Sequence, residues 1–357
     1  MSTLTGGVST GEGSATAKAY FECVNANGGI NGHPIQYTVV DDGLNPAKAA
    51  QSATSLVNDT KVVGIVGGSY LECAVAGPIY QKAHVFEVEG VGATAQCLTN
   101  PNIVTTSMGS PLSASAMIDA ATAEGAKKIA LLVPNTPGLG DAVQAASEAT
   151  AKQDGATIVK TTQYQPGVQD ATSLVLSAAS ANPDAIAITA IKSDLVTLLN
   201  AAAQQGLKNR IKFIAINQIY GAGVPSQLGS AWDGGRLKVQ HQWAPIGADT
   251  PDVKLWKAVV AKYAPGAPLD ELSEGMFLAA KIFADTLAKI HGPITRASVG
   301  QALQSISNYQ SDMLCAPFSW PKGTNRLVNN ETRIAEIDNG AYKDDGGCHK
   351  VTPVTAP

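Results

Sequence analysis

The chain has 357 residues, 45% of them hydrophobic and 15% charged, so it can supply a sizeable core and is not disordered. At about 150 residues per domain, its length suggests two domains or one large α/β unit. Lys and Arg number 25 against 29 Asp and Glu, a formal charge of −4 with no basic run, which speaks against nucleic-acid binding. No stretch reaches the roughly 18 to 20 apolar residues that cross a bilayer. The longest apolar segment, 276–290, carries Lys281, Asp285 and Lys289 and reads as a core helix.

In chain order, the start is notable for what it lacks. Residues 1–7 have neither a charged n-region nor an apolar h-region, so no signal peptide is visible. The apolar strand expected before such a Gly-rich turn is missing too. The expectation is a native N-terminus lying upstream, with room there for a signal or lipid-anchor site. A helix over 14–25 stops at Asn27-Gly28-Gly29, and 35–40 is an extended run ending at Asp41-Asp42. Asn45 and Pro46 open the next helix as N-cap and first helical residue. Strands follow over 62–66, 85–88 and 103–106. A helix runs through Tyr80 after the first of these, and another spans 111–123.

From Lys128 the pattern restarts as a second α/β unit. Strands are expected over 129–133, 157–162, 185–191 and 211–216, with helices over 141–152, 171–181 and 194–205 between them. Continuous Val/Ile/Ala runs indicate strands buried on both faces, hence parallel sheets. Residues 237–243 read as a crossover. Helices over 253–263, 272–290 and 295–305 follow, with extended segments near Phe318 and Ile334.

Ligands bind outside the carboxyl ends of parallel strands. The loops there are 6–13, 67–71, 90–94, 134–140, 190–193 and 217–220. Rich in Gly, Ser, Thr, Asn and Tyr and poor in acids and bases, they suit hydrogen bonding to a small ligand better than chemistry on one. Three enzyme motifs fail. Gly7-Val8-Ser9-Thr10-Gly11 matches a nucleophile elbow, but the five His residues are poorly placed: His33 and His84 flank turns, His241 lies in a strand and His291 at a helix end. Gly90-Val91-Gly92-Ala93-Thr94-Ala95 resembles a dinucleotide fingerprint, yet the next acid, Asp119, lies inside a helix rather than at a strand end. A phosphate-cradling P-loop does not occur. No catalytic residue and no cofactor are assigned.

Five cysteines are present without metal-site spacing, so no zinc is expected; His349 beside Cys348 does not change that. Proximity in sequence favours Cys73 with Cys97 and Cys315 with Cys348, leaving Cys23 free, although four cysteines allow three pairings. Five unpaired thiols in a cytosolic protein are the alternative.

The run Asn25-Ala26-Asn27-Gly28-Gly29-Ile30-Asn31-Gly32, then 35–42, Leu44-Asn45-Pro46 and Leu56-Val57-Asn58-Asp59 resembles the branched-chain amino acid (Leu/Ile/Val-binding) type of ABC-transporter substrate-binding proteins. Gly67-Gly68-Ser69, Pro78-Ile79-Tyr80, Gly92-Ala93-Thr94 and Pro317-Phe318-Ser319-Trp320 continue the resemblance over nearly the whole chain. It implies a type I periplasmic-binding-protein fold: two doubly wound parallel-sheet α/β lobes, joined by three hinge crossovers near Ser107, Ala244 and Val328. Lobe 1 would comprise 1–107 with 244–328, and lobe 2 108–243 with 329–357, closing on a ligand in the cleft. The implied protein is monomeric and exported, periplasmic or extracellular with or without a lipid anchor. It would hand a small carboxylate-bearing ligand to a membrane permease. A ligand sensor for amides or ureas on the same fold is the alternative.

By resemblance, the carboxylate is held by Ser69 or Tyr70 and by Gly92, Ala93 and Thr94, whose bland alternative is capping the following helix. Gly11 and Leu139 join the expected ligand set. Where amino-acid binders of this type place groups for the ammonium, this chain has Asn217 and Ile191, which carry no charge. Asp194 and Glu274 are substitutes, the first expected to cap its own helix and the second to face solvent. Pro137 stands where an aromatic is frequent, and Gln218, Tyr220 and Tyr70 are neutral groups able to orient a ligand. An ammonium buried without a partner costs several kcal/mol, so an amine-free acid or an amide fits as well as an amino acid.

Overall fold

A computed structural model describes residues 1–5, 9–92, 94–136, 139–323 and 326–353. The first part of the chain forms α1 (Gly11–Ala26), α2 (Pro46–Asn58), β1 (Ile65–Gly67), α3 (Gly77–Lys82), β2 (Glu87–Glu89) and β3 (Ile103–Thr105). It continues with α4 (Ser110–Ala123), β4 (Lys128–Pro134), α5 (Gly140–Gln153), β5 (Thr157–Tyr164), α6 (Ala171–Ala179), β6 (Ala185–Ile188), α7 (Lys192–Gln204), β7 (Lys212–Ala215), α8 (Val224–Leu228) and β8 (Leu237–His241). Then come α9 (Pro251–Tyr263), α10 (Glu271–Leu287), α11 (Arg296–Gln304), β9 (Glu331–Asp338), β10 (Ala341–Asp344) and β11 (His349–Lys350). Two compact units emerge: Met1–Gly109 with Ala248–Asn329, and Ser110–Gly247 with Asn330–Pro357.

In the first unit, β1, β2 and β3 pair in parallel in that order, with Gly67 opposite Glu89 and Glu89 opposite Thr105. All three strands are buried throughout, as the run Ile65-Val66-Gly67 predicts for β1. Local chemistry sets the helix ends. Asn45 caps α2 by accepting the Lys48 N–H at 3.1 Å, with Pro46 first in the helix. At the end of α1 the Gly29 N–H returns to Val24 O at 2.9 Å. A short π-helical stretch, Glu72–Ala76, leads into α3.

Residues 35–40, expected to be extended, belong to no strand among the described residues, although a bridge joins Ser2 to Asp41. A strand needs a backbone neighbour about 4.8 Å away. Here β1 is reached instead by a side chain, the Tyr37 hydroxyl donating to Val66 O at 3.0 Å. A cavity of about 1080 Å³, lined by Tyr37, Ile65 and Phe283 among others, lies along this run.

The second unit holds one sheet ordered β10-β9-β8-β7-β6-β4-β5, with β11 also on β9. From β5 to β8 the pairs are parallel, and β9 pairs antiparallel with its neighbours. Residues 237–243, read from the sequence as a crossover, therefore contain a full strand of this sheet. Its core runs from α4 through Ile129–Val133, Ile186–Ile188 and Phe213–Ile216 to Trp232, which meets Phe213 edge-on at 5.0 Å.

Candidate functional site

Both sheets end in the loops that the sequence singles out. In the first unit, Gly67 and Glu89 are register partners and the Gly90 N–H donates to Gly67 O at 3.0 Å. The segments bearing Ser69, Tyr70 and Gly92 therefore start side by side. In the second, β4, β6 and β7 are in register through Leu132, Ile188 and Ala215, which brings the segments with Leu139, Ile191 and Asn217 to one sheet end.

Ser69 is buried and committed inward. Its hydroxyl donates to Asp42, lies 3.4 Å from Thr3 Oγ1 and accepts the Leu71 N–H at 3.1 Å. Asp42 also accepts from the Thr3 hydroxyl at 2.8 Å and the Leu44 N–H at 2.9 Å. Ser69 thus anchors a buried carboxylate, a role the sequence did not reveal. Tyr70 is half-buried; burial, then the charges of Glu12 and Asp270, hold its phenol well above the ordinary range, so it stays a neutral donor.

The Gly92 amide, expected to meet a ligand, instead donates to Glu89 Oε1 at 3.0 Å, beside the Val91 amide at 2.8 Å. Glycine is needed there because φ is +37° and a Cβ would meet Thr105 Oγ1 at 2.3 Å. Thr94 precedes a 3₁₀ turn, Ala95–Leu98, but its side chain does not cap it; Oγ1 lies 3.7 Å from Cys97 Sγ. Ala93 lies outside the described residues, as do Pro137, Gly138 and the Gly7 and Val8 of the elbow motif. Gly11 opens α1, its N–H donating to Ser9 Oγ at 3.0 Å, and that hydroxyl donates to Thr3 O.

Glu274 does not face solvent: it sits in the first turn of α10, fully buried, because that helix is buried over most of its length. The first unit also holds an unforeseen cluster. Glu72, Glu87 and Glu89 are all fully buried, with one oxygen of each within 4.8 Å of the others. Three clustered carboxylates are a donor set suited to a cation, and the Tyr80 hydroxyl donates to Glu72 Oε1 at 2.8 Å. Burial, then the Glu72 charge, raises Glu87 far above the carboxylate range and Glu89 up to about 7. The one available signal was Glu-x-Glu in a strand, since residues two apart share a face.

In the second unit Leu139 precedes α5, with its N–H on Thr136 O at 3.1 Å, and half-buried Ile191 precedes α7 with its carbonyl accepting the Leu195 N–H. Asn217 is buried, its backbone N–H directed at Gln240 Oε1 at 3.3 Å, while Gln218 is half-buried. Tyr220 is a core residue rather than an open ligand group. Its ring stacks on His241 at 3.9 Å and its hydroxyl accepts the Ile246 N–H at 3.1 Å. Being apolar on both faces, the ring gains more by burial than by lining a loop. Asp194 does not cap its own helix; it accepts the N–H groups of Gly167 at 2.9 Å and Val168 at 3.1 Å, bracing the turn before α6. His241 is buried and bonded to Asp344 Oδ2 at 2.6 Å; its burial lowers its basicity.

Cys73 and Cys97 form a disulfide, Cys315 and Cys348 are also disulfide-bonded cysteines, and Cys23 is free. No helix among the described residues is long and apolar enough to cross a membrane.

The sequence profile of a family described as periplasmic binding protein matches residues 1–343. The Leu/Ile/Val-binding protein homolog 7 of Brucella abortus (strain 2308) is 25% identical over 309 residues, covering 80% of this chain and 74% of its own. A branched chain amino acid ABC transporter structure from Thermus thermophilus with bound valine has a TM-score of 0.84 at 18% identity, covering 95% of this chain and 92% of that one. A fatty acid ABC transporter substrate-binding protein from Thermomonospora curvata has a TM-score of 0.83 at 21% identity, covering 98% and 90%. The structural likenesses speak for the fold, that of type I periplasmic binding proteins, and the profile for descent: the chain belongs to the periplasmic binding protein family.

Proposed function

We propose that this protein is an extracytoplasmic solute-binding component of an ABC transporter, capturing a small carboxylate-bearing ligand and delivering it to a membrane permease without chemical change. The observation that carries the reading is the pair Tyr70 and Thr94. Both stand half-buried beyond the strand ends of the first unit, one with a phenol held neutral, the other with a hydroxyl that does not cap its helix. Neutral hydroxyl donors suit a carboxylate in a site of low dielectric. The ligand's preference for one conformer drives capture, with no covalent step.

The commitment of Asp194 to Gly167 and Val168 supports including amine-free acids. It removes one carboxylate from those able to neutralise an ammonium. A thermal-shift screen pairing leucine with 4-methylpentanoate and phenylalanine with phenylpropionate tests this. Ligand at about 100 times its Kd stabilises by roughly 2.7 kcal/mol. Shifts with the amine-free acids support organic-acid uptake. Shifts with amino acids alone assign the ammonium to another acid. Silence from both sets overturns the carboxylate reading in favour of an amide or urea sensor.

A further inference from the structure

A groove flanked by backbone on both sides runs along the first unit's sheet. β1 ends the order β1-β2-β3, so one of its sides carries no ladder among the described residues. The run 35–40 faces that side, and the cavity of about 1080 Å³ lies between the two. One end of the groove is closed by backbone that already pairs as a strand does. The Ser2 N–H donates to Val40 O at 2.9 Å, Ser2 O accepts the Asp42 N–H at 3.0 Å, and Ser2 bridges Asp41 in parallel. On the other flank Met1 O accepts the Gly68 N–H at 3.3 Å. At this end, one stretch of backbone therefore joins both flanks. Ile35 turns its N–H and carbonyl away to the Asn25 side chain, whereas Val40 turns its carbonyl to the groove. Alternate residues of an extended chain direct their backbone groups the same way, which puts Gln36 and Thr38 with Val40. On β1, Ile65 and Gly67 spend theirs on the β2 side, which leaves those of Gly64 and Val66 for the groove. Across its middle only a side chain reaches over, the Tyr37 hydroxyl donating to Val66 O.

We propose that this groove seats one further strand of the protein's own polypeptide: about five apolar residues joined directly ahead of Met1, parallel to 35–39 on one side and to β1 on the other. Continuity selects this occupant over a separate peptide. Met1 and Ser2 already make the strand's last pairings, so residues joined to them arrive in register. A second chain would abut Met1 and lose its own freedom on docking. The lining sets the chemistry, since Phe21, Leu56, Phe283 and Leu287 ask for Val and Ile rather than for charge. Carried back from Ser2 and Met1, the register gives the new strand the N–H groups of Thr38, Val40 and Val66 to accept. It turns β1 into an interior strand and covers two edges that otherwise invite pairing between molecules.

The test compares the 357-residue chain with two forms extended ahead of Met1, one by five alternating Val and Ile residues and one by five alternating Gly and Ser. A third extension, alternating Val and Thr, serves if the first is insoluble. The apolar extension should raise the urea midpoint by about 1 M over the Gly/Ser form, in a protein that light scattering shows to be monomeric. Hydrogen exchange at the Thr38, Val40 and Val66 amides should slow by about tenfold. Placing Pro at every second position of the apolar run should abolish both effects, because Pro has no N–H to give to the flanks. Equal midpoints for the apolar and Gly/Ser forms overturn the proposal. So does exchange at the three amides that the extension leaves unchanged, or a gain in stability that appears only with self-association.

Discussion

Asp194 reaches from the first turn of α7 to the turn before α6, accepting the Gly167 N–H at 2.9 Å and the Val168 N–H at 3.1 Å. The Asp194 side chain is nearly inaccessible to solvent, and removing it exchanges two hydrogen bonds to a carboxylate for bonds to water. Asp194→Ala should cost about 1–3 kcal/mol in urea unfolding, and Asp194→Asn less, because one carbonyl oxygen remains. Loss of affinity without loss of stability would return Asp194 to the ligand.

Gly67 has no room for a side chain. A Cβ there would lie 2.0 Å from Glu87 Oε1 and 2.9 Å from the Glu72 carboxyl carbon. Gly67→Ala is expected to destabilise by about 1–3 kcal/mol. In a Gly67→Ala, Glu87→Ala double variant the two effects should not add, which chemical denaturation of all four proteins would reveal.

Ser69 and Thr94 should behave oppositely. Ser69→Ala deprives buried Asp42 of a donor and should cost about 1–3 kcal/mol of stability. Thr94→Ala removes a hydroxyl that caps nothing. It should leave the unfolding midpoint nearly unchanged and weaken ligand binding, as isothermal titration would record.

Stability should rise as the solution becomes mildly acidic. Glu89 and Asp119 are each raised to about 7, Glu89 chiefly by burial and then the Glu72 charge, Asp119 by burial and then the Asp154 charge beside it. An acid with a raised folded value binds more protons folded than unfolded between its ordinary value and the raised one. Its destabilisation is therefore complete above about pH 7 and relieved as pH falls towards about 4.5. Melting temperatures should climb from about pH 8 to pH 5.5, and Asp154→Asn should flatten part of the slope. A melting temperature that falls steadily over that range would contradict the assignment.

The Cys73–Cys97 bridge closes 24 residues of chain in the first unit. Its removal should cost about 3 kcal/mol. Peptide mapping without reductant should recover Cys73 joined to Cys97, with Cys23 the thiol that takes an alkylating reagent.

Much of the fold could be read from residue order alone. Cap chemistry is local, so Asn45-Pro46 and Asn27-Gly28-Gly29 place their helix boundaries without knowledge of the rest of the chain. The unbroken apolar runs at Ile129–Val133 and Ile186–Ile188 announce strands covered on both faces, because only such strands can omit a polar side. Spacing likewise favoured the Cys73 and Cys97 pair.

Residue order sets the kind of element at each position, since capping, periodicity and composition act over a few residues. Which polar groups are already spent is a matter of the folded arrangement. Whether the Ser69 hydroxyl and the Gly92 amide face a ligand or a buried carboxylate depends on Asp42 and Glu89 arriving beside them. For Asp194 and Glu274 the deciding factors are a neighbouring turn and the burial of a whole helix. Hydrogen-bond partners and desolvation are set by residues distant in the chain, and no spacing rule carries that information.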